Sequence, residues 1–386
     1  MVRDDEDMDV VLAAMVVLAS AIAAVVVRRQ TRDQRYRGLA DGERPAPGAP
    51  ATTEFVDRHP ADELTRPVPP DVLSPGLTGV VLDGRANPIE VAATLIDLAE
   101  HGRVVITERP APADSPLSAD WQFTRVDGHE PAPVESSTDS AEADAASPDP
   151  AVPASPEEAL LQVLFADAND VLLSELTLDQ RRGLNQVTDL LLIEAERRQW
   201  FRRLTHPADT SLRLAGPVVL LLGAVAIVML NQPWLGGGLM LGGVVLWALT
   251  QGLPNPPVTA DGYALRAQAR QFGNWLSRTD PATQAEVSVA DQVRYLPYAM
   301  VLGQLEAWRS GLAQTAGTAA PDGFSWLVPL AADRRLLTSD GAIPRLVADL
   351  AQQLVAARAV SDVAVGANLI QDAAASPQKR GQSPSL

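Results

Sequence analysis

The sequence predicts a membrane protein, mainly α-helical with a minor β component. It has three transmembrane helices (one amino-terminal, then a helical hairpin), a cytoplasmic winged-helix-like α+β module and a C-terminal helical region. Three observations predict this. Val10 to Val27 is an apolar run broken only by Ser20. Leu214 to Leu249 is a pair of apolar limbs around Asn231-Gln232-Pro233 with no ionisable side chain, each limb reaching roughly 25 Å at about 1.5 Å per residue. Between Asp71 and Val126 the apolar spacing changes from helical to alternating.

Composition sets the outer limits. The 386 residues, 46% hydrophobic, have room for a membrane part and one or two soluble domains. Forty-eight acidic against 31 basic residues give a net charge of -17, a polyanion that repels nucleic acid except where bases cluster. There is no cysteine, which excludes disulfides, thiolate metal sites and cysteine nucleophiles and suits a reducing compartment.

The elements follow in order. Residues 1–9 are a short acidic segment assigned outside the cell, 10–27 are the first span, and Arg28, Arg29, Arg32, Arg35 and Arg37 place its far end in the cytoplasm. Residues 28–70, rich in Pro, Ala and Gly from Gly38 onward, read as a flexible cytoplasmic linker. The winged-helix-like module occupies 71–126. Its second helix is bounded by Asn87-Pro88-Ile89-Glu90, a capping box with proline at the first helical position, and by Gly102, suited to a left-handed carboxyl cap. Val91, Leu95, Leu98 and Ala99 form its buried stripe, with Glu90, Asp97 and Glu100 mostly off it. Val104 with Ile106, and Trp121 with Phe123, alternate as two short antiparallel strands.

Residues 127–154 are an acidic, Pro/Ser/Ala-rich insert expected to be disordered. Residues 155–213 are cytoplasmic and helical, with a short strand around Val171 to Leu173. The second and third spans are 214–230 and 234–250. A helical domain fills 251–372, in which Pro297 opens one helix carrying Val301, Leu305, Trp308 and Leu312, and 373–386 form a loose tail. Arginines before the hairpin and none at its tip make the same orientation: a multi-pass protein of the bacterial inner membrane, amino terminus outside, carboxyl terminus in the cytoplasm.

Two stretches carry a resemblance. Pro69-Pro70-Asp71 through Leu82-Asp83-Gly84-Arg85 to Ala93-Thr94-Leu95-Ile96-Asp97-Leu98-Ala99, together with Arg294-Tyr295-Leu296-Pro297-Tyr298-Ala299, resembles the YciQ-like family of predicted bacterial membrane proteins of unknown function. The likeness covers about Val68 to Leu312 and implies a paired hairpin between the two blocks, but no activity. Members usually carry a large extracytoplasmic domain before the first span, whereas only Met1 to Asp9 stand there here, so a sensing role does not carry over.

No catalytic residue, cofactor or metal site is expected. His59, His101, His129 and His206 lie scattered without ligand spacing, and His101 suits a cation at a helix carboxyl terminus. There is no nucleophile elbow, phosphate loop or dinucleotide fingerprint. Asp83, Arg85, Tyr295, Pro297 and Tyr298 are the candidate interaction residues; Asp83-Gly84 also reads as a plain turn and the aromatics as core packing. Ala19, Ala23, Gly238 and Gly242 are the candidate helix-packing positions, within the chain or between copies in a homo-oligomer.

These features favour a membrane-anchored cytoplasmic module that holds a protein partner, not an enzyme. The alternative is a membrane-tethered regulator in which the winged-helix-like module and Arg181, Arg182, Arg197, Arg198, Arg202 and Arg203 meet nucleic acid, which the net charge disfavours. An enzyme of unfamiliar type comes third.

Overall fold

In the computed structural model, residues 2–358 are described, apart from 31, 47, 57–63, 71, 114, 127–154, 167, 203–208, 230–232, 251–255, 285, 317–321, 331–335, 339–340 and 357. The acidic insert, Asn231 and Gln232 of the hairpin tip and the 373–386 tail lie outside the described residues. In chain order come α1 (Val2–Gln30), β1 (Asp33–Tyr36), β2 (Thr53–Val56), α2 (Pro75–Asp83), α3 (Pro88–Glu100), β3 (Val104–Arg109) and β4 (Asp120–Arg125). Next are α4 (Pro156–Leu164), β5 (Asp170–Leu172), α5 (Leu178–Arg197), α6 (Asp209–Met229) and α7 (Pro233–Thr250). The remainder is α8 (Ala260–Arg278), α9 (Pro281–Gln284), α10 (Val289–Arg294), α11 (Leu296–Val301), α12 (Leu305–Ala316), β6 (Leu327–Val328) and α13 (342–356). The fold is therefore mixed α and β, arranged as two compact units: Met1–Ala61 with Arg198–Ala267, and Asp62–Arg197 with Gln268–Leu386.

The expected fold class is corrected at its centre. Among the described residues no helix is long and apolar enough to cross a membrane, so the three spans at 10–27, 214–230 and 234–250 are withdrawn, and the orientation built on them loses its support. Helices α1 and α6 extend beyond the apolar runs that suggested them, whereas α7 follows its own. α1 begins in the acidic Arg3 to Asp9 segment, α6 takes in Asp209 and Arg213 and holds Pro217, and α7 spends its 18 residues on five glycines, a proline and two tryptophans.

Within the first unit, α7 packs against both α1 and α6, and its glycines set the distances. A Cβ at Gly238 would fall 2.7 Å from the Ala13 Cα, one at Gly242 would fall 2.7 Å from the Ser20 hydroxyl, and one at Gly243 would meet the Leu220 amide at 2.7 Å. Ala19 and Ala23 are exposed instead, while Ala24 is buried, so the α1 face that meets α7 runs through Ala13, Ser20 and Ala24. Because the obstructing atom at Gly238 is backbone, Gly238→Leu should destabilise this unit by about 1–3 kcal/mol. An unaltered thermal transition would show that α1 does not sit this close. The outward faces remain apolar, with Val11, Met15, Leu18 and Ile22 on α1 and Leu221 and Val228 on α6 all exposed.

The expected linker is not featureless. Asp33 to Tyr36 pair antiparallel with Thr53 to Val56. Asp33, 2% exposed, accepts a hydrogen bond from the Val258 amide at 3.0 Å and lies 3.6 Å from the guanidinium of Arg266, itself 1% exposed. The Gln34 to Val258 backbone bond of 3.0 Å ties the ribbon down, and the buried ion pair fixes its place because removing either partner would leave an uncompensated buried charge.

The second unit is built on a four-stranded sheet of order β5-β4-β3-β6, with β6 parallel to β3 and the other pairs antiparallel. This corrects the winged-helix-like reading. β3 and β4 are the paired centre of a sheet rather than a free two-stranded wing, and Val104, Ile106, Trp121 and Phe123 are all fully buried. The single helix expected from Pro297 is two: Gly303, at φ +67°, ends α11 and lets the chain turn into α12. α3 is bounded as its sequence requires, with Gly102 left-handed at φ +73°.

Candidate functional site

Three carboxylates lie along α3, and their surroundings differ from those the helical periodicity suggests. Glu90 is 3% exposed, because α2 crosses α3 at a glycine: a Cβ at Gly79 would stand 2.5 Å from the Glu90 Oε1. Its Oε2 accepts from the Asn87 amide at 2.7 Å, one arm of the capping box. Burial still pushes its carboxyl up to about 7. Asp97 and Glu100, half-buried one turn apart, are raised by burial to about 6 and about 7, and each is made worse by a neighbouring carboxylate, Glu157 for Asp97 and Asp97 for Glu100. Two basic side chains oppose this. The His101 Nδ1 lies 3.6 Å from Asp97 and the Arg294 Nε 3.5 Å from Glu100. His101 also sets Nδ1 2.8 Å from the Asp97 carbonyl, the position of a helix carboxyl terminus. The cluster can take up protons near neutrality. Among the described residues no group of three or more His, Cys, Asp and Glu is arranged to hold a metal ion.

The second feature is a cleft. An open hollow of about 380 Å³ runs beside β5, lined by Gln122 from β4, Ala168, Asp170, Val171 and Leu172 around the strand, Glu175, and Thr177 and Gln180 at the start of α5. Its walls are locked. Asp120 accepts from the Ser174 amide at 3.1 Å and the Ser174 hydroxyl at 2.6 Å, tying the turn after β5 to β4. Asp170 accepts from Gln122 at 3.0 Å and Thr124 at 2.5 Å, and Gln180 donates to the Leu164 carbonyl at 2.9 Å. The cleft is thus a trough of mixed polar and apolar lining on rigid elements at one edge of the sheet, a shape that takes an extended chain better than a compact molecule.

The structure disperses the residues proposed from sequence. Asp83 accepts from the Arg85 amide at 2.9 Å and from the Asn87 side chain at 3.4 Å, closing the turn between α2 and α3 with Arg85 exposed on it. Tyr295 and Tyr298 lie on either side of the buried Pro297 at the start of α11. Tyr295 meets Phe272 edge-on at 5.0 Å and Trp275 at 6.0 Å, and Tyr298 meets Phe272 at 6.2 Å. Their hydroxyls donate to the Pro67 carbonyl at 2.9 Å and the Leu73 carbonyl at 2.8 Å. The two blocks of the family resemblance therefore meet: the second carries the tyrosines that hold the start of the first. None of these five residues lines the cleft. Sequence reasoning missed Gln122, Asp170, Glu175 and Gln180. The one available signal was the short strand expected at Val171 to Leu173, whose neighbours are polar.

A family model described as Predicted membrane protein (DUF2207) C-terminal domain matches residues 61–312, more than half of the chain. No curated protein and no solved structure matches it.

Proposed function

Because the chain belongs to the family described as Predicted membrane protein (DUF2207) C-terminal domain, we propose that it is a membrane-associated protein-interaction module whose partner docks in the cleft beside β5. The observation that carries this is the cleft itself, open, half polar, and with Gln122, Asp170 and Gln180 of its walls already fixed by hydrogen bonds, so that a ligand would find it pre-formed. Membrane association draws support from the family description and from the apolar outward faces of α1 and α6, where runs such as Val11, Met15, Leu18 and Ile22 form a continuous exposed stripe. The narrower YciQ-like assignment belongs to the same proposal, since both of its blocks fall inside the matched range. A cytoplasmic location of the module suits the lack of cysteine.

No catalytic step is proposed, and nucleic acid is left out of the partner class. Arg203 lies outside the described residues, and the other arginines that would face phosphate are otherwise engaged, Arg181 with the Leu176 carbonyl and Arg182 with Asp179 among them. Arg197 is bound to Glu194 at 2.7 Å, Arg198 lies 5.2 Å over Trp200, and Arg202 lies 4.9 Å over Phe55.

Photo-crosslinking tests the module directly. A crosslinking side chain at Ala168, on the cleft rim, should give one discrete protein adduct in cells, and the same group at the exposed Ser277 on α8 should not. Equal adducts from both positions, or none from Ala168, would count against docking in the cleft.

A further inference from the structure

Among the described residues the cleft borders an unpaired strand edge, and its register says which backbone groups are on offer. β5 is the last strand of its sheet and pairs Leu172 with Gln122, Val171 with Phe123 and Asp170 with Thr124. The Arg125 amide donates to the Asn169 carbonyl at 2.8 Å, which makes that facing pair hydrogen-bonded. Facing pairs alternate in an antiparallel ladder, so Val171 directs its N–H and C=O at β4, while Asp170 and Leu172 direct theirs away from it, toward the open side. Leu172 is extended, at φ -91° and ψ 139°, as a strand-adding edge requires.

The charge of the trough selects what could be added. Asp170 and Glu175 line it; Asp179, exposed nearby, is paired with Arg182 at 3.3 Å, and the guanidinium of Arg109, which reaches the lining, is spent on the Gln122 Oε1 at 2.7 Å. Arg181, the closest arginine in sequence, is turned to the Leu176 carbonyl at 3.0 Å and to Gln353 at 3.4 Å. A second copy paired edge to edge would set these carboxylates against their own kind, and the net charge of -17 adds to the repulsion. Nucleic acid meets the same obstacle. On the reading that the cleft is the docking site, we propose that its ligand is an extended, basic polypeptide segment that adds to β5 as a fifth strand. Its main chain pairs with Asp170 and Leu172, and its Lys or Arg side chains, on alternate residues, face Asp170 and Glu175.

The test uses the full chain in detergent and two labelled twelve-residue probes read by fluorescence anisotropy: one alternating lysine and threonine, the other alternating glutamate and threonine. The lysine peptide should bind, more weakly as salt rises, and the glutamate peptide should not. Leu172→Pro removes an N–H that β4 does not use, so the sheet keeps its ladder but loses a donor for the added strand. It should weaken the lysine peptide at least tenfold, with circular dichroism unchanged. Glu175→Lys, at an exposed position, should do the same without touching the backbone. A polycation held by net charge alone would ignore Leu172→Pro, and that result, or equal binding of the two peptides, overturns strand addition. If the Ala168 adduct persists while the peptides fail, the docking site stands and only its mode is lost; if both fail, the interaction module falls with it.

Discussion

Asp349→Ala is expected to lower the stability of the second unit by about 3 kcal/mol, because one buried carboxylate there serves four donors. Asp349, on α13 and 3% exposed, accepts from the Ser118 amide at 3.0 Å, the Ser118 hydroxyl at 2.8 Å, the Ala119 amide at 3.3 Å and the Trp121 indole at 3.0 Å. Alanine would leave the Ala119 amide and the Trp121 indole unpaired in a dry site, while the two Ser118 donors lie at its exposed rim. The same helix is held a second time, where Glu108 of β3 accepts from Arg345 and, at 3.0 Å, from the Leu330 amide. The lost interaction should therefore appear as a lower urea midpoint rather than as detachment of α13. Asp349→Asn should recover only part of the loss, since the amide presents one oxygen and a donor to a ring of donors. A midpoint for Asp349→Ala within error of the parent would mean that water reaches these groups.

Glu90→Gln is expected to act in the opposite direction, and only above mildly acidic pH. Burial raises the Glu90 carboxyl from 4.5 to about 7 in the folded chain. Below pH 4.5 both states hold the proton and nothing is lost. Between 4.5 and about 7 the unfolded chain releases it while the folded chain keeps it, so stability falls as pH rises, and above about 7 the loss is complete. At about 1.4 kcal/mol per pH unit the total is roughly 3 kcal/mol. Glutamine stays neutral and can still accept from the Asn87 amide. The variant should thus exceed the parent by about 2–3 kcal/mol at pH 8 and match it at pH 4.5. Urea unfolding at the two pH values checks this; a difference independent of pH would place Glu90 in water. Glu100 falls in the same window and Asp97 in one from 3.8 to about 6, so the parent should also lose stability across this range through them.

How much was legible follows from how far apart in the chain the partners stand. The capping residues at Asn87 to Glu90 and the glycine at 102 bound α3 from within a few residues, and Val104, Ile106, Trp121 and Phe123 alternate within single strands. Short-range signals of this kind survive folding. The pairing of β6 with β3 rests on two residues, Leu327 and Val328, too few to show alternation, so the sheet looked like a two-stranded wing. Glu90 looked like a surface acid because periodicity describes one helix, and only the approach of Gly79 from α2 covers it. The cleft was hidden for the same reason: Gln122, Asp170 and Gln180 sit in three elements, and nothing in their local sequence joins them.

The apolar runs showed that α1, α6 and α7 would be helical and would seek apolar surroundings, since composition alone dictates that. How far α1 and α6 reach into the charged residues before those runs was decided by the folded chain, and among the described residues no helix is long and apolar enough to cross a membrane. Family membership, too, is written in the sequence. Which carboxylates are buried and where a partner could lie depend on contacts between residues far apart in the chain, such as Ser118 with Asp349, and no local pattern encodes those because each needs two distant surfaces to meet.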